Sequence, residues 1–242
     1  MESLKVLFLG FQKALNPIYN DFLHAIGENH TVHLYDANVS TTEQFNNIDV
    51  VVASTPELCT RQMIDVAVLS GVKLWQVLST GLDHYNVAYF LERGLPLANT
   101  PGIFSSIALA EHALFLMLSL VKNFSISQKM IKDGKIYEPL NDELYGKTLG
   151  LIGFGASGRQ LAKLTVPMEM RVVAVDILDI PIEICDEFNV EFMGGVEYLD
   201  QLLTMADFVS IHASLTSKSR HMINRKSFEL MKPTSFLINV AR

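Results

Sequence analysis

Residues 149–161 read LGLIGFGASGRQL and decide the fold: an apolar run ends in closely spaced glycines, and a helical stretch follows. Gly153, Gly155 and Gly158 match G-x-G-x-x-G, the pattern of a strand, tight turn and helix that binds a dinucleotide. In this pattern the first glycine permits the turn, the second lets the backbone approach a pyrophosphate, and the third lets helix and strand pack closely. We therefore predict a dinucleotide site at this turn.

Asp176 ends the next predicted strand, where a carboxylate can accept hydrogen bonds from a ribose 2′-hydroxyl. Ile177 and Leu178 follow it, and no arginine is adjacent to receive a 2′-phosphate, which favours NAD over NADP. The alternative is a glycine-rich turn in an unrelated α/β domain. The joint occurrence of strand, helix and acid makes that alternative the weaker one.

Short runs rich in Val and Leu alternate with helical stretches along the whole chain. The predicted strands are Lys5–Leu9, Val32–Tyr35, Val50–Ser54, Leu74–Leu78, Leu97–Ala98, Leu149–Gly153, Val172–Asp176, Val190–Phe192, Phe208–His212 and Phe236–Val240. The predicted helices are Ile18–Ile26, Arg61–Leu69, Val87–Arg93, Ser105–Lys122, Ser157–Leu164, Val196–Thr204 and Arg225–Met231. Because crossovers between parallel strands usually contain helices, this alternation predicts doubly wound parallel sheets.

A hinge is predicted at residues 99–102, Asn-Thr-Pro-Gly, which separate two series of strands. In the first series the opening strand is followed by residues 10–13, Gly-Phe-Gln-Lys, which lack a second glycine. The first domain is therefore not expected to hold a dinucleotide.

The helix Ser105–Lys122 is apolar on nearly every face, which predicts that it is buried all round. It could pack within the protein as a core helix or against a second subunit, and the sequence leaves both open. Glu111 and His112 interrupt its longest apolar run, Ile107–Val121, which falls short of the roughly 20 residues that cross a bilayer. No membrane partner is expected.

The composition excludes several other classes of protein. Of the 242 residues, 49% are hydrophobic and 19% charged, which is typical of a globular chain. The net charge of −7 and the lack of a Lys/Arg cluster argue against nucleic-acid binding. Cys59 and Cys185 are far apart, so neither a disulfide framework nor a metal site is predicted. A cytoplasmic protein is expected.

Several ordered motifs together resemble one known family, the NAD-dependent D-2-hydroxyacid dehydrogenases, which include phosphoglycerate, glycerate and formate dehydrogenases. The motifs are residues 79–83 (STGLD), 99–102 (NTPG), 110–112 (AEH), 146–158, Asp176, 206–212 (ADFVSIH), 231–233 (MKP) and 239–242 (NVAR). The resemblance implies an α/β protein with a flavodoxin-like substrate-binding domain over 1–100 and a Rossmann NAD-binding domain over 101–242. It also implies that both domains are incomplete at their C-terminal ends.

The resemblance assigns roles to individual positions. Backbone N–H groups of Thr80 and Gly81 would bind the substrate carboxylate, although an ordinary strand-end turn is the alternative there. Arg242 would be the catalytic arginine that holds the carboxylate and polarises the substrate carbonyl. The implied cofactor residues lie under the pyrophosphate (Ala156, Ser157), on the adenosine ribose (Asp176) and along the nicotinamide (His212, Ala213, Val240, Ala241).

The implied activity is hydride transfer between NAD(H) and C2 of a small D-2-hydroxy or 2-keto acid, in a homodimer formed through residues 105–122. In the family a histidine general acid and its glutamate partner follow the arginine, so the 242-residue chain is expected to be impaired or inactive. His84 and His112 are expected to be ordinary loop and helix residues. An NAD(H)-responsive regulator resembling the corepressors of this fold, or a non-functional fragment, are the alternatives.

Overall fold

A computed structural model of the chain describes residues 3–10 and 17–241. The chain divides into two compact units, Met1–Pro101 and Gly102–Arg242. Each unit is built on its own parallel β-sheet, so the predicted α/β class with two parallel-sheet domains is confirmed.

The first unit has a five-stranded parallel sheet in the order β2-β1-β3-β4-β5, the order of flavodoxin-like sheets. Its strands are β1 (Lys5–Leu9), β2 (Thr31–Leu34), β3 (Val50–Ala53), β4 (Leu74–Val77) and β5 (Leu97–Ala98). Its helices are α1 (Pro17–Ile26), α2 (Thr41–Gln44), α3 (Arg61–Leu69) and α4 (Val87–Arg93). Gly94 ends α4 at φ +67°, a left-handed conformation that suits glycine at this position.

The core of the first unit lies between the sheet and its helices. Leu7, Val51 and Trp75 come from neighbouring strands and are almost completely buried. Phe90 of α4 meets the Trp75 ring edge-on, at 5.5 Å between ring centroids. This packing fixes the carboxyl end of β4, from which the loop 78–83 departs.

The second unit has a five-stranded parallel sheet in the order β10-β9-β6-β7-β8. In chain order within the unit this is 5-4-1-2-3, the strand order of a Rossmann sheet. In such a sheet successive strands are added first on one side of strand 1 and then on its other side. The strands are β6 (Thr148–Ile152), β7 (Arg171–Val175), β8 (Val190–Gly194), β9 (Phe208–Ile211) and β10 (Phe236–Asn239). The helices are α5 (Ser106–Val121), α6 (Phe124–Lys132), α7 (Ala156–Thr165), α8 (Ile182–Glu187), α9 (Leu199–Met205) and α10 (Arg225–Leu230).

Gly150 in β6 leaves no room for a side chain between the sheet and α9. A Cβ at this position would stand 2.7 Å from Leu202 Cδ2 and 2.9 Å from Ala206 Cβ. Since real contacts of this kind are longer, any larger residue would push α9 away.

Within a single copy of the chain the long apolar helix is buried on one side only, so burial of its other side against a second subunit stays a prediction. Within α5 the buried residues are Ser106, Ala110, Ala113, Met117 and Val121, a stripe at helical spacing on the side that packs on α7 and β10. Ile107 and Phe115 are 59% and 54% exposed. The sequence pattern missed this division because both sides of the helix are apolar.

The apolar helical segment is longer in the structure than the run Ile107–Val121 predicted from the sequence. Together with the turn before α5, the stretch Gly102–Val121 covers 20 residues with a mean hydropathy of 1.8, which by length and composition is enough to cross a membrane. In the folded second unit the same segment packs on α7 and β10, as a helix that faces a protein core does.

Candidate functional site

The glycine-rich turn joins β6 to α7 at the centre of the second sheet. Gly153 has φ +95°, and its N–H donates to the carbonyl of Val175 at the end of β7. A Cβ on Gly153 would stand 2.8 Å from the backbone nitrogen of Ala213. The turn therefore sits between the carboxyl ends of β7 and β9, where open α/β sheets bind ligands.

Gly158 and Gly155 differ in what surrounds them, and the difference fits a nucleotide. A Cβ on Gly158 would come within 2.3 Å of the Gly153 carbonyl oxygen, so this glycine lets α7 pack against the turn. Among residues 3–10 and 17–241, nothing lies within 4 Å of the corresponding position on Gly155. The residues present thus leave an open approach at the N-terminus of α7, where free N–H groups and the positive end of the helix dipole attract a pyrophosphate.

Asp176 uses both carboxylate oxygens on the local backbone. Oδ2 accepts a 2.6 Å hydrogen bond from the N–H of Phe154 in the turn, and Oδ1 accepts one of 3.0 Å from the N–H of Leu178. Each carboxylate oxygen has a second lone pair, so the group can still accept ribose hydroxyls. Ile177 and Leu178 beside it are exposed and apolar and offer no charge to a 2′-phosphate.

His212 follows β9 and connects that strand to α7. Its backbone N–H donates to the carbonyl of Ile152. Its Nδ1 lies 2.9 Å from the hydroxyl of Ser157, and its Nε2 lies 2.9 Å from the hydroxyl of Ser210. Part of the residue stays at the surface, yet burial of the ring lowers the pKa of His212 to about 4. At neutral pH the ring is therefore uncharged, with both nitrogens engaged.

The remaining predicted residues of this unit lie at the same edge of the sheet. Val240 and Ala241 follow β10 and are half-buried, and the Ala241 N–H donates to Asn239 Oδ1 at 3.0 Å. Ala156 is exposed in the first turn of α7. Arg242 lies outside the residues that the structure describes.

In the first unit, the predicted substrate loop follows β4, and two side-chain hydrogen bonds hold its backbone in place. The Asn99 side-chain amide donates to the Thr80 carbonyl at 2.7 Å, and the Ser79 hydroxyl donates to the Gly81 carbonyl at 3.0 Å. Over residues 3–10 and 17–241, no hydrogen bond uses the backbone N–H of Thr80 or Gly81. The loop thus presents two free donors of the kind that bind a carboxylate.

His84 belongs to the same loop. Its Nε2 lies 3.0 Å from Asp83 Oδ2, and its side chain is 56% exposed. His112 in α5 stacks on Phe115, with 6.1 Å between ring centroids. These surroundings are those of a surface ion pair and a helix-surface contact.

Comparison with known sequences identifies the family. Residues 114–242 match the profile described as "D-isomer specific 2-hydroxyacid dehydrogenase, NAD binding domain". The chain belongs to this family. The domain of this family binds NAD, the cofactor that the sequence predicted.

Similar proteins of this family have established names. The hydroxypyruvate reductase of Thermotoga maritima is 34% identical over 201 residues, which cover 81% of this chain and 61% of that protein. The D-3-phosphoglycerate dehydrogenase of Methanocaldococcus jannaschii is 33% identical over 204 residues, covering 83% of this chain and 37% of the relative. Thus the chain spans at most about three-fifths of the length of these relatives.

Solved structures agree with the family assignment. The D-lactate dehydrogenase of Aquifex aeolicus, complexed with NAD and lactic acid, matches with a TM-score of 0.79 at 26% identity, over 98% of this chain and 69% of that one. The apo D-lactate dehydrogenase of Escherichia coli matches with a TM-score of 0.79 at 23% identity, over 99% of this chain and 74% of that one. The second match supports the fold alone.

Sequence reasoning missed two contacts within the candidate cofactor site. One is the hydrogen bond from Phe154 to Asp176, which makes the acid part of the turn. The other is Ser210, which is fully buried and bonded to His212. A serine two residues before a histidine on an otherwise apolar strand was the available signal, because alternate strand residues share a face.

Proposed function

We propose that the protein is an NAD-dependent oxidoreductase that acts on the CH–OH group of a small D-2-hydroxy acid and, in reverse, reduces a 2-keto acid. The observation that carries the proposal is the turn at Gly153–Gly158, closed by Asp176 and open above Gly155, in a domain of this family. Bound NAD would supply the hydride acceptor for C2 of the acid, or in reverse the hydride donor, while the C2 oxygen loses or gains a proton.

The cofactor side of the proposed site uses residues of the second unit. Backbone N–H groups of Ala156 and Ser157 bind the pyrophosphate at the N-terminus of α7. Asp176 accepts hydrogen bonds from the adenosine ribose, which its remaining lone pairs allow. The nicotinamide end is lined by residues after β9 and β10, namely His212, Ala213, Val240 and Ala241.

The substrate side uses the loop after β4. The two free N–H groups of Thr80 and Gly81 bind the carboxylate, since charge-assisted hydrogen bonds of this kind are stronger than neutral ones. Arg242 holds the substrate carboxylate and polarises the C2 carbonyl, which gains negative charge as hydride arrives. The names of the relatives, hydroxypyruvate reductase and glyoxylate reductase among them, favour a small 2-keto acid.

The partner that we propose is a second copy of this chain, bound through the outer face of residues 105–122 in a cytoplasmic enzyme. Ile107 and Phe115 expose more than half of their surface on this face. Phe104 and Phe124, next to the helix, are 79% and 48% exposed. Apolar side chains gathered in this way mark an association surface.

The proposed function can be tested by titrating the purified chain with NADH, followed by NADH fluorescence, and then adding glyoxylate, hydroxypyruvate or pyruvate. We expect NADH to bind more tightly than NADPH, and one of the acids to change the fluorescence of bound NADH or to oxidise it. Because the chain spans at most about three-fifths of these relatives' length, formation of the ternary complex is scored separately from oxidation.

Thr80→Pro and Thr80→Ala form a matched pair for the substrate side. Proline removes the backbone donor at Thr80, whereas alanine keeps it. We expect Thr80→Pro to lose the effect of the acid while NADH binding stays unchanged, and Thr80→Ala to behave as the parent chain. Failure to bind NADH would overturn the proposal. NADH binding that none of the three acids affects would favour the regulatory alternative.

A further inference from the structure

Ser210, His212 and Ser157 form a continuous chain of hydrogen-bonding side chains that runs from the interior of the sheet to the start of α7. Ser210 lies in β9, between β6 and β10, and has no exposed surface. The His212 ring is 2.9 Å from the hydroxyl on either side of it. Ser157 is half-buried in the first turn of α7.

The direction of the hydrogen bonds in this chain follows from the buried end. A neutral imidazole carries one N–H, so one nitrogen donates and the other accepts. If Nε2 donated to Ser210, the Ser210 hydroxyl proton would need another acceptor. Over residues 3–10 and 17–241, His212 is the only hydrogen-bond partner of that hydroxyl. An unsatisfied buried donor is costly, so Ser210 donates to Nε2.

The donor and acceptor roles of the other hydrogen-bonding atoms then follow. Since Nε2 accepts, the single ring proton sits on Nδ1, and Nδ1 donates to the oxygen of Ser157. The low pKa of His212 agrees with a ring that keeps one proton at neutral pH. The Ser157 hydroxyl accepts from the ring, so its own proton remains free to donate elsewhere.

We propose that Ser210 and His212 are positioning residues that hold the Ser157 hydroxyl as a hydrogen-bond donor to an anionic pyrophosphate oxygen of NAD. This inference rests on the proposed function only through NAD binding. It assigns to His212 a role in orienting another side chain, in addition to lining the nicotinamide. It also assigns a role to Ser210, which has no exposed surface with which to touch the cofactor.

The test compares NADH affinity in four variants of the chain. Ser157→Ala removes the donor and should weaken NADH binding by about tenfold, since hydrogen bonds to charged groups are the stronger kind. Ser210→Ala removes the buried partner that holds the ring, so binding should weaken, but by less than in Ser157→Ala, which removes the donor itself. Ser210→Thr keeps the hydroxyl and should restore most of the affinity. Ser217→Ala, an exposed serine in the turn after β9, is the control and should have no effect.

Two further measurements separate this role from a general loss of structure. ADP-ribose, which has the pyrophosphate, should bind Ser157→Ala less tightly, whereas adenosine should bind equally well. In ¹⁵N-histidine NMR, His212 should show the Nδ1–H tautomer in the parent chain, and in Ser210→Ala the Nε2 resonance should shift because its hydrogen bond from Ser210 is lost. An Nε2–H tautomer in the parent chain, or unchanged NADH affinity in Ser210→Ala, overturns the inference. Loss of NADH binding by the parent chain would instead contradict the proposed function.

Discussion

The Asp176 carboxylate accepts a 2.6 Å hydrogen bond from the backbone N–H of Phe154, which lies inside the glycine-rich turn. Phe154 is completely buried, so few alternative partners are available to this N–H. The acid that is expected to bind the adenosine ribose therefore also holds the turn in shape. Under the proposed function, ribose binding and local stability would depend on the same side chain.

Removal of this carboxylate should lower stability as well as affinity. We expect Asp176→Ala to lower the free energy of unfolding by about 1–3 kcal/mol, because the Phe154 donor is left unsatisfied. Asp176→Asn, which keeps one acceptor oxygen, should cost less. Urea unfolding measures the stability and NADH fluorescence the affinity. Asp179→Asn, at an exposed position nearby, is the control, and equal stability of Asp176→Ala and the parent chain would contradict this view.

Two glycines of the turn should separate folding from binding. Gly158→Ala places a Cβ within 2.3 Å of the Gly153 carbonyl oxygen and should destabilise the second unit by about 1–3 kcal/mol. Gly155→Ala meets no atom of the described residues within 4 Å, so stability should be retained. Its methyl group enters the space proposed for the pyrophosphate, and NADH binding should weaken. Thermal unfolding and NADH titration check both results. Tight NADH binding by Gly155→Ala would place the nucleotide elsewhere.

The buried ring of His212 should make stability depend on pH. Its pKa falls from an ordinary value of 6.5 to about 4 in the folded protein. Below pH 6.5 the unfolded chain therefore binds more protons than the folded one, and stability falls as the pH falls. Between pH 7 and pH 5 this group should account for a loss of about 2 kcal/mol.

Urea unfolding at several pH values measures this dependence. His212→Asn should be less stable at pH 7 and should show a smaller loss between pH 7 and pH 5 than the parent chain. His24→Gln, at an exposed position of α1, should keep the parent dependence. The assignment to His212 is wrong if its replacement leaves the pH dependence unchanged.

The Asn99 side chain should control the order of the loop after β4. Asn99→Ala removes the 2.7 Å hydrogen bond to the Thr80 carbonyl, a contribution of about 1 kcal/mol. Amide hydrogen exchange over residues 79–85 should then become faster. NADH affinity should be unchanged, since the cofactor site lies in the other unit. Exchange rates equal to those of the parent chain would show that the loop is held by other contacts.

The outer face of α5 should govern oligomeric state. Ile107→Glu and Phe115→Glu place a charge on this exposed apolar face and should convert a dimer into monomers, as judged by analytical ultracentrifugation. Leu69→Glu makes the same kind of change at an 82% exposed leucine of α3 and should leave the dimer intact. A parent chain that is monomeric at all concentrations would refute the proposed partner.

Much of the fold follows from the sequence because the strands are short apolar runs with clear ends. The predicted strand Lys5–Leu9 and helix Arg61–Leu69 coincide with those observed. Helix α6, Phe124–Lys132, was not predicted. Phe124, Ile126 and Ile131 are all substantially exposed there, so no buried face marks this helix, although Phe124 and Ile131 lie seven residues apart, as on one side of a helix.

The candidate site shows a similar limit. The glycine-rich turn can be predicted from the sequence because its residues are contiguous. The contact between His212 and Ser157 joins positions 55 residues apart, and only the strand order of the folded sheet brings them together. The sequence predicted that α5 is buried all round but left open what covers each side, because hydrophobicity alone does not say which apolar face meets the protein's own core.

Gly150 has a consequence for the cofactor although it touches no part of the proposed site. Contact with Leu202 and Ala206 makes Gly150 a limit on how near α9 lies to the sheet. The next strand after α9 is β9, which contains Ser210 and is followed by His212. A side chain at position 150 would therefore shift α9 and with it the position of β9 in the sheet. Random mutagenesis that selects for altered NAD affinity should therefore recover changes at this remote, solvent-inaccessible position, along with changes to residues that line the proposed cofactor site.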